Sequence, residues 1–286
     1  MPELPEVEAL ARFLTTRTAG QVVVRAELAS LSALKTFAPP LEALIGAPMA
    51  GVDRKGKYLL MRVGSLTMVV HLARGGWVQW RDKLVAVRPK PGRGPLALRL
   101  GLGDGSGFDL TEQGTEKRLA IWVVHDPSEI DHVATLGPDP LDPSFTPAVL
   151  ADLLADRRAQ IKGVLTDQTV IAGIGNAYSD EALHLALLSP FKPAASLTTT
   201  EVERLHAAIV TLLADAVVRS AGLPAAGLKG EKRSGMRVHG RKGEACPECG
   251  DVVREVSFAS KSLQYCATCQ TNGKPLADRR MSRLLK

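Results

Sequence analysis

The sequence lacks the features that would place this protein in a membrane or outside the cell. Across 286 residues, 45% of them hydrophobic, no apolar run is long enough to span a bilayer. The chain does not open with a basic region followed by an apolar stretch, so no secretory signal is predicted. Only four cysteines occur, all after residue 245, whereas a secreted disulfide scaffold would scatter them. We expect a soluble cytoplasmic protein, nucleoid-associated if bacterial.

Internal repeats are also absent, and the length allows one large domain or two modest ones. Apolar alternation between residues 48 and 124, broken by Gly, Pro and charge, predicts short antiparallel strands. We therefore interpret residues 1–128 as a mainly β domain of two packed sheets with flanking helices, including a strand over 21–28. The proline-rich segment LGPDPLDPSFTP indicates a linker, which we assign to 129–146.

Helical periodicity follows the linker. It predicts a helix over 179–188, after the turn GIGN, and an amphipathic helix over 198–220. The stretch 221–245 is rich in Gly, Lys and Arg and is interpreted as a loop. The fold class is therefore α+β and multidomain.

Positive charge is concentrated in the last fifth of the chain. The net charge is +6, yet residues 229–286 hold thirteen Lys/Arg against six Asp/Glu, a balance of +7, which leaves −1 for the remainder. This distribution indicates an end that binds a polyanion, for which nucleic acid is the commonest partner. A solvated basic tail is the alternative.

The four cysteines form the pattern C-x2-C-x16-C-x2-C, made by Cys246, Cys249, Cys266 and Cys269. Each pair places two thiolates on one turn, and sixteen intervening residues fit a β-hairpin that brings the turns together. Four thiolates satisfy tetrahedral Zn²⁺ with no open position, so one structural zinc is predicted. A redox pair or an iron centre are the alternatives. Without metal so small a hairpin should not hold.

The first residues, MPELPEVE, carry a second chemical possibility. Removal of Met1 would make Pro2 the terminus, with a secondary amine that is partly neutral near pH 7 and able to attack an electrophilic carbon. Glu3 beside it could move protons. The alternative is that both residues merely start a helix, because Pro5 suits a first helical turn.

Motifs along the chain resemble, in order, those of the formamidopyrimidine-DNA glycosylase / endonuclease VIII family of base-excision repair enzymes. They are PELPEVE, RKGKYLL, HLARGG, LGPDPL, GIGNAYSDEAL, VHGRKGEACPEC and CATCQ. The resemblance implies an N-terminal β-sandwich (1–128), a helix–two-turn–helix domain (147–237) and a zinc finger (238–271). Residues 272–286, a basic C-terminal extension, lie outside the resemblance. That extension is interpreted equally as a phosphate-binding arm or a solvated tail.

The resemblance also implies an activity on damaged double-stranded DNA by a monomer. Pro2 would attack C1′ of the damaged nucleotide, Glu3 would serve as acid and base, and the Schiff base would permit strand cleavage by elimination. Lys57 matches a lysine that contacts a phosphate beside the lesion or donates a proton. Asn176 matches a phosphate-binding asparagine at a helix start, and His71 a histidine near the strand-separation site.

Several positions depart from the family pattern. Arg74 stands where family members carry a methionine that fills the gap left by the flipped nucleotide. Arg118 is expected to face the orphaned base and Leu119 to act as an apolar wedge. The alternative for Leu119 is that it starts the strand LAIWVV and points into the core. Lys261 replaces an arginine of the zinc finger, keeping the charge but losing the planar fork.

The loop before the finger is shorter than in the branch that removes oxidised purines. We therefore expect oxidised pyrimidines, ring-opened purines or abasic sites as substrates in preference to 8-oxoguanine. Two further hypotheses remain: a non-catalytic damaged-DNA-binding protein of the same fold, and a zinc-ribbon protein that binds RNA or another protein.

Overall fold

The computed structural model describes residues 1–87, 92, 94–257 and 262–277. The chain forms two compact units, one made of residues 1–135 and 220–229, the other of residues 136–219 and 230–286. None of the helices among the described residues combines the length and apolar character that a membrane crossing requires.

Two four-stranded antiparallel sheets make up most of the first unit. One sheet has the order β1-β6-β7-β5 and the other β2-β3-β4-β8. The strands are β1 (Val23–Leu28), β2 (Met49–Lys55), β3 (Tyr58–Val63), β4 (Leu66–His71), β5 (Gly76–Arg81), β6 (Leu96–Leu102), β7 (Gly107–Glu112) and β8 (Ala120–Val124). Buried side chains of both sheets share one core, so the predicted sandwich is confirmed.

Helix α1 (Leu4–Thr18) packs along strand β2 because its apolar face, including Leu10 and Leu14, enters that core. The Thr15 hydroxyl donates to the Val52 carbonyl at 2.9 Å, and Arg54 donates to the Glu8 carboxylate at 2.9 Å. Helix α1 and strand β2 therefore run in opposite directions. The start of α1 consequently points toward the turn that follows β2.

Two neighbouring loops connect the sheets at one edge. Residues 72–75 lead from β4 to β5, and residues 113–119 lead from β7 back to β8. The approach is close: a Cβ on Gly75 would lie 2.2 Å from the Gln113 carbonyl oxygen, and one on Gly76 would lie 2.0 Å from that of Leu72. Only glycine fits either position, which explains the paired glycines of HLARGG.

Residues 220–229 belong to the first unit, which differs from the predicted boundaries. Leu228 is fully buried and Ala225 nearly so, both in the core of the sandwich. The Trp77 indole N–H donates to the Ala225 carbonyl at 2.9 Å, and the Lys229 ammonium lies 4.6 Å from the Trp77 ring centroid. The predicted 221–245 loop also contains a helix, α7 (Leu228–Ser234). Burial of apolar side chains overrides the loop-like composition here.

We expect Trp77→Phe to destabilise this attachment by about 1–2 kcal/mol, because the Ala225 carbonyl loses its buried donor. Amide hydrogen exchange in residues 223–229 should then accelerate. The matched control is Trp80→Phe, whose indole N–H bonds the exposed Asp82 side chain at 2.8 Å. Equal exchange rates in the two variants would contradict the assignment.

The second unit begins with helices. They are α3 (Pro147–Leu154), α4 (Ile161–Thr166), α5 (Asn176–Leu185) and α6 (Thr199–Ser220), after the short α2 (Asp131–Ala134) of the first unit. Helix α5 starts three residues earlier than the sequence predicts, at Asn176. The turn before it is closed by Gln168, whose side chain accepts from the Gly173 N–H at 3.0 Å and donates to the Ile174 carbonyl at 2.8 Å.

The predicted finger hairpin is present in the same unit as the helices. It pairs β9 (Val253–Ser257) with β10 (Ser262–Cys266) in antiparallel register and is followed by α8 (Ala267–Thr271). The Gln270 side chain donates to the Leu188 carbonyl at 2.9 Å and accepts from the Cys266 N–H at 2.9 Å. The finger therefore packs on the helices of the second unit.

Candidate active site and metal centre

Pro2 and Glu3 lie at the start of α1, and both are buried; Glu3 is 2% exposed. Glu3 occupies the N-cap position, and its backbone N–H donates to the Glu6 carboxylate at 2.8 Å. Glu3 therefore does cap the start of a helix, as the alternative interpretation of MPELPEVE predicts. The same position also places a buried carboxylate directly after the residue that would become the terminal amine.

Lys57 lies in the two-residue turn between β2 and β3. Gly56 precedes it with a φ of +55°, which suits the first position of a tight hairpin turn. Only 7% of Lys57 is exposed. The hairpin therefore presents a buried cation at its tip.

Arg54 connects this turn to the N-terminal helix. Its guanidinium donates to the Glu8 carboxylate of α1 at 2.9 Å and to the Gly56 carbonyl at 3.3 Å. Glu3 precedes Glu8 by five residues, a rise of about 7.5 Å along a helix. The buried Glu3 and the buried Lys57 thus belong to the same end of the first unit.

His71 ends β4, directly opposite Tyr58 of β3, and the two rings lie 4.8 Å apart. Burial is the main cause that lowers the pKa of His71 to about 4, and the charges of Lys57 and His132 add to it. The imidazole is therefore neutral at pH 7. It can accept or donate a hydrogen bond there, but it does not add a positive charge.

Because the pKa of His71 is depressed in the folded state, acid should destabilise the protein through this residue. Below pH 6.5 the unfolded chain takes up a proton that the folded chain does not, and the loss continues down to about pH 4. When the pH falls from 7 to 5, the free energy of unfolding should decrease in the wild type. We expect this decrease to be smaller in His71→Gln, by about 1–2 kcal/mol. Urea unfolding at both pH values measures this, with the exposed His125→Gln as control. Parallel pH profiles in all three proteins would refute it.

Arg74 and Arg118 are both exposed, one in each of the neighbouring loops at the edge of the sheets. Arg74 follows Ala73, which has a φ of +49°, a conformation that turns the chain sharply. Arg118 pairs with the exposed Glu116 at 3.1 Å. Such a surface pair is weak, so Arg118 can exchange it for another anion.

Leu119 corrects a prediction. It is 2% exposed and lies in the hydrophobic core, as the strand interpretation of LAIWVV had it, so it is not placed to act as a wedge. The cause is Glu112, a buried carboxylate that the sequence analysis missed. It accepts from the N–H groups of Arg118 at 2.8 Å and Leu119 at 3.0 Å. These two hydrogen bonds direct the Leu119 side chain into the core and leave the Arg118 side chain exposed to solvent.

Asn176 is the first residue of α5 in the second unit, and its side chain is half-buried. Its amide N–H donates to the Ser262 carbonyl of the finger hairpin at 2.8 Å. The Lys162 ammonium donates to the Asn176 carbonyl at 2.9 Å and to the Asp180 carboxylate at 2.6 Å. Asn176 is therefore held by both a helix and the finger.

Glu181, on α5, is fully buried. Its carboxylate accepts from three consecutive backbone N–H groups, those of Arg237, Val238 and His239, at 2.7–2.9 Å. Burial raises the pKa of Glu181, although these hydrogen bonds favour the charged form. The position of Glu181 along the helix does indicate burial, since it lies one turn after Tyr178, which is also buried, on the same helix face.

The four cysteine sulfurs converge as the spacing predicts. All four lie within 4.8 Å of one another, with 3.9 Å between Cys246 and Cys269 and 3.4 Å between Cys249 and Cys266. Thiolates at about 2.3 Å from a tetrahedral zinc would be separated by about 3.8 Å. The residues therefore fit one structural Zn²⁺ with no open position. Lys261 and most of the C-terminal extension, 278–286, lie outside the described residues.

These features define a two-unit protein with a zinc finger, in which Pro2 and the buried carboxylate of Glu3 lie at the N-terminus. Three family profiles match it in order: the formamidopyrimidine-DNA glycosylase N-terminal domain over residues 1–115, the formamidopyrimidine-DNA glycosylase H2TH domain over 136–224, and the zinc finger found in FPG and IleRS over 243–272. The predicted helix–two-turn–helix domain is thereby confirmed.

Relatives agree with these profiles. A formamidopyrimidine-DNA glycosylase of Symbiobacterium thermophilum is 37% identical over 98% of this chain and 93% of its own length. An uncharacterized formamidopyrimidine-DNA glycosylase-like protein of Mycobacterium tuberculosis is 64% identical over 53% of this chain and 94% of its own length. The chain belongs to the formamidopyrimidine-DNA glycosylase family, the DNA glycosylases of base-excision repair.

Solved structures are similar over nearly the whole chain. The Lactococcus lactis formamidopyrimidine-DNA glycosylase bound to DNA with an abasic site has a TM-score of 0.82 at 26% identity, covering 94% of this chain and 99% of that one. The MutM (Fpg) protein of Thermus thermophilus has a TM-score of 0.80 at 30% identity, covering 96% and 100%. The similarity therefore extends through both units.

Proposed function

We propose that this protein is a DNA glycosylase that also cleaves abasic sites, with Pro2 as its nucleophile and Glu3 as its acid and base. The observation that carries the proposal is the position of the buried Glu3, directly after Pro2 and at the end of the unit where Lys57 is buried. A helix start alone does not require a carboxylate and a lysine to be buried there.

The reaction begins once Met1 has been removed. The neutral Pro2 amine attacks C1′ of the damaged nucleotide, the bond from C1′ to the base breaks, and the base leaves with its bonding electrons and a proton. The sugar ring then opens: the bond from C1′ to O4′ breaks, O4′ takes a proton from Glu3, and the iminium that forms between C1′ and Pro2 acidifies the C2′ hydrogen. Loss of that proton expels the 3′ phosphate by elimination, and water then releases the sugar fragment from Pro2. Glu3 moves the protons, while Lys57 contacts the neighbouring phosphate or donates a proton.

Damaged double-stranded DNA is the proposed partner, bound by a monomer. The exposed Arg74 and Arg118 are the side chains that we propose to enter the duplex, since an arginine can stack on bases and contact phosphate. Asn176 at the start of α5 would bind phosphate, since the N-terminus of a helix favours an anion. Similar solved structures are complexes of those proteins with DNA that contains an abasic site, Fapy-dG or carbocyclic 8-oxo-G.

For this chain we propose oxidised pyrimidines, ring-opened purines or abasic sites as better substrates than 8-oxoguanine. In the branch of the family that removes oxidised purines, the resemblance implies that a long loop before the zinc finger helps to hold the flipped base. In this chain residues 225 and 228 of that segment are buried in the sandwich core, so much of it is committed to packing. A smaller or ring-opened base depends less on such a loop.

The test is trapping with borohydride, which reduces an iminium to a stable amine. Purified protein with a free Pro2 is incubated with duplexes that each contain one abasic site, oxidised pyrimidine, ring-opened purine or 8-oxoguanine. We expect a covalent adduct at Pro2 and strand cleavage, with the 8-oxoguanine duplex reacting most slowly. Peptide mass spectrometry locates the adduct.

A binding assay on the same duplexes separates this proposal from its rival. Tight binding to the abasic duplex without any adduct would favour a non-catalytic damaged-DNA-binding protein of the same fold. Tighter binding to structured RNA than to abasic DNA at equal salt would favour a zinc-ribbon function instead. An adduct on a residue other than Pro2 would reject the proposed nucleophile while leaving lyase chemistry in place.

A further inference from the structure

A histidine lies against the metal centre without belonging to its four ligands. His184, on α5, is fully buried, and its Nε2 atom is 3.3 Å from the Sγ atom of Cys246. Its other ring nitrogen, Nδ1, is buried and has no hydrogen-bond partner among the described residues. The two nitrogens therefore have unequal surroundings.

This inequality decides where the ring carries its proton. A proton on Nδ1 would be a buried donor without an acceptor, whereas a proton on Nε2 points at the sulfur of Cys246. A zinc-bound thiolate is an anionic acceptor, so a hydrogen bond to it is charge-assisted. A doubly protonated ring would bury a charge as well as the unpartnered Nδ1–H. The neutral ring with its proton on Nε2 satisfies the site best.

We propose that His184 is a positioning residue of the zinc site, which donates its Nε2–H to the Cys246 thiolate. Such outer hydrogen bonds hold a ligand in its orientation and stabilise its negative charge. Four thiolates place more negative charge around Zn²⁺ than the ion neutralises, so a donor at one of them strengthens the site. The proposal does not depend on the glycosylase activity.

The bond also connects zinc to the helix that starts at Asn176. Helix α5 contacts the finger region along its length. Near its start the Asn176 side chain bonds the Ser262 carbonyl, Glu181 bonds the N–H groups of residues 237–239, and His184 contacts Cys246 near its end. Loss of the contact between His184 and Cys246 would remove the attachment near the end of α5.

Three variants test the assignment. His184→Phe keeps a ring of similar size but removes the donor, and His184→Gln returns an N–H donor. His206→Phe is the matched control in the same unit, because the His206 Nε2 atom bonds the Phe145 carbonyl at 2.6 Å, away from the cysteines. We expect zinc to dissociate about 10- to 100-fold faster from His184→Phe, a partial return in His184→Gln, and no change in His206→Phe.

Two spectroscopic measurements report the bond itself. In the cobalt-substituted protein, His184→Phe should shift the sulfur-to-cobalt charge-transfer band to longer wavelength, because an unbonded thiolate holds its electrons less tightly. In the wild-type zinc protein, long-range ¹H–¹⁵N correlation should show a protonated Nε2 and a bare Nδ1. This second measurement needs no variant, so it decides the matter even if His184→Phe fails to fold.

The proposal is overturned by either of two results. One is a proton on Nδ1 in the wild-type protein. The other is a folded His184→Phe whose zinc dissociation rate and cobalt band both match the wild type. Failure of the borohydride experiment would leave this proposal intact, since neither measurement uses DNA.

Discussion

Replacement of Pro2 by Gly should reduce adduct formation with abasic DNA by at least about 100-fold. Glycine would present a primary amine, whose imine needs an additional proton before it can draw electrons from the sugar. The iminium formed by proline carries that positive charge without protonation. Single-turnover trapping with borohydride measures the effect, with circular dichroism to confirm that α1 and the sheets remain folded.

A second arm keeps the chain unchanged and alters only its terminus. Protein carrying an uncleaved leader before Pro2 should form no adduct, and removal of the leader to leave Pro2 first should restore it fully. Glu3→Gln separates the steps, since it should slow base excision far more than binding. An adduct of undiminished yield from the uncleaved protein would exclude the terminal amine as the nucleophile.

Replacement of Cys249 by Ala should abolish zinc binding and, with it, most of the affinity for DNA. Cys249 is exposed, so its loss creates no cavity in a core and acts through the metal. A structural zinc supplies much of the folding energy of a small finger, and three remaining thiolates hold the ion poorly. We expect zinc content near zero and affinity for an abasic duplex reduced about 100-fold or more, because the finger lies in the basic end of the chain.

Atomic absorption and fluorescence anisotropy at fixed salt measure these two losses. Pro247→Ala is the matched control, since it alters the same exposed turn without removing a ligand or a charge. The sandwich of the first unit, which has its own core, should unfold at an unchanged urea concentration. Wild-type DNA affinity in zinc-free Cys249→Ala would remove the finger from the proposed DNA-binding surface.

The zinc site illustrates what local spacing can predict. Two C-x2-C turns separated by sixteen residues have few ways to satisfy four thiolates, and their sulfurs meet as expected. Strand alternation was equally informative, because the side-chain period of two directly reports a sheet with one buried face. Departures from these patterns were harder to interpret. Leu119 stands between a loop and a strand, so its sequence context allows it either to act as a wedge or to point into the core.

Only the tertiary structure decided such cases. Leu119 is buried because the Glu112 carboxylate holds two backbone N–H groups beside it, a contact that no local pattern reports. Residues 220–229 join the first unit through Trp77 and Ala225, which are 148 positions apart in sequence. Their sequence, SAGLPAAGLK, has two glycines and a proline, as is typical of a loop.

The sequence by itself therefore determined the antiparallel sheets, the four metal ligands and the family to which the chain belongs. These follow from short-range periodicity, from spacing and from motifs in order. The tertiary structure alone decided which polar groups are buried, including Glu112, Glu181 and His184, and which loops are anchored. Burial depends on partners that are distant along the chain, and those partners meet only when the core has formed.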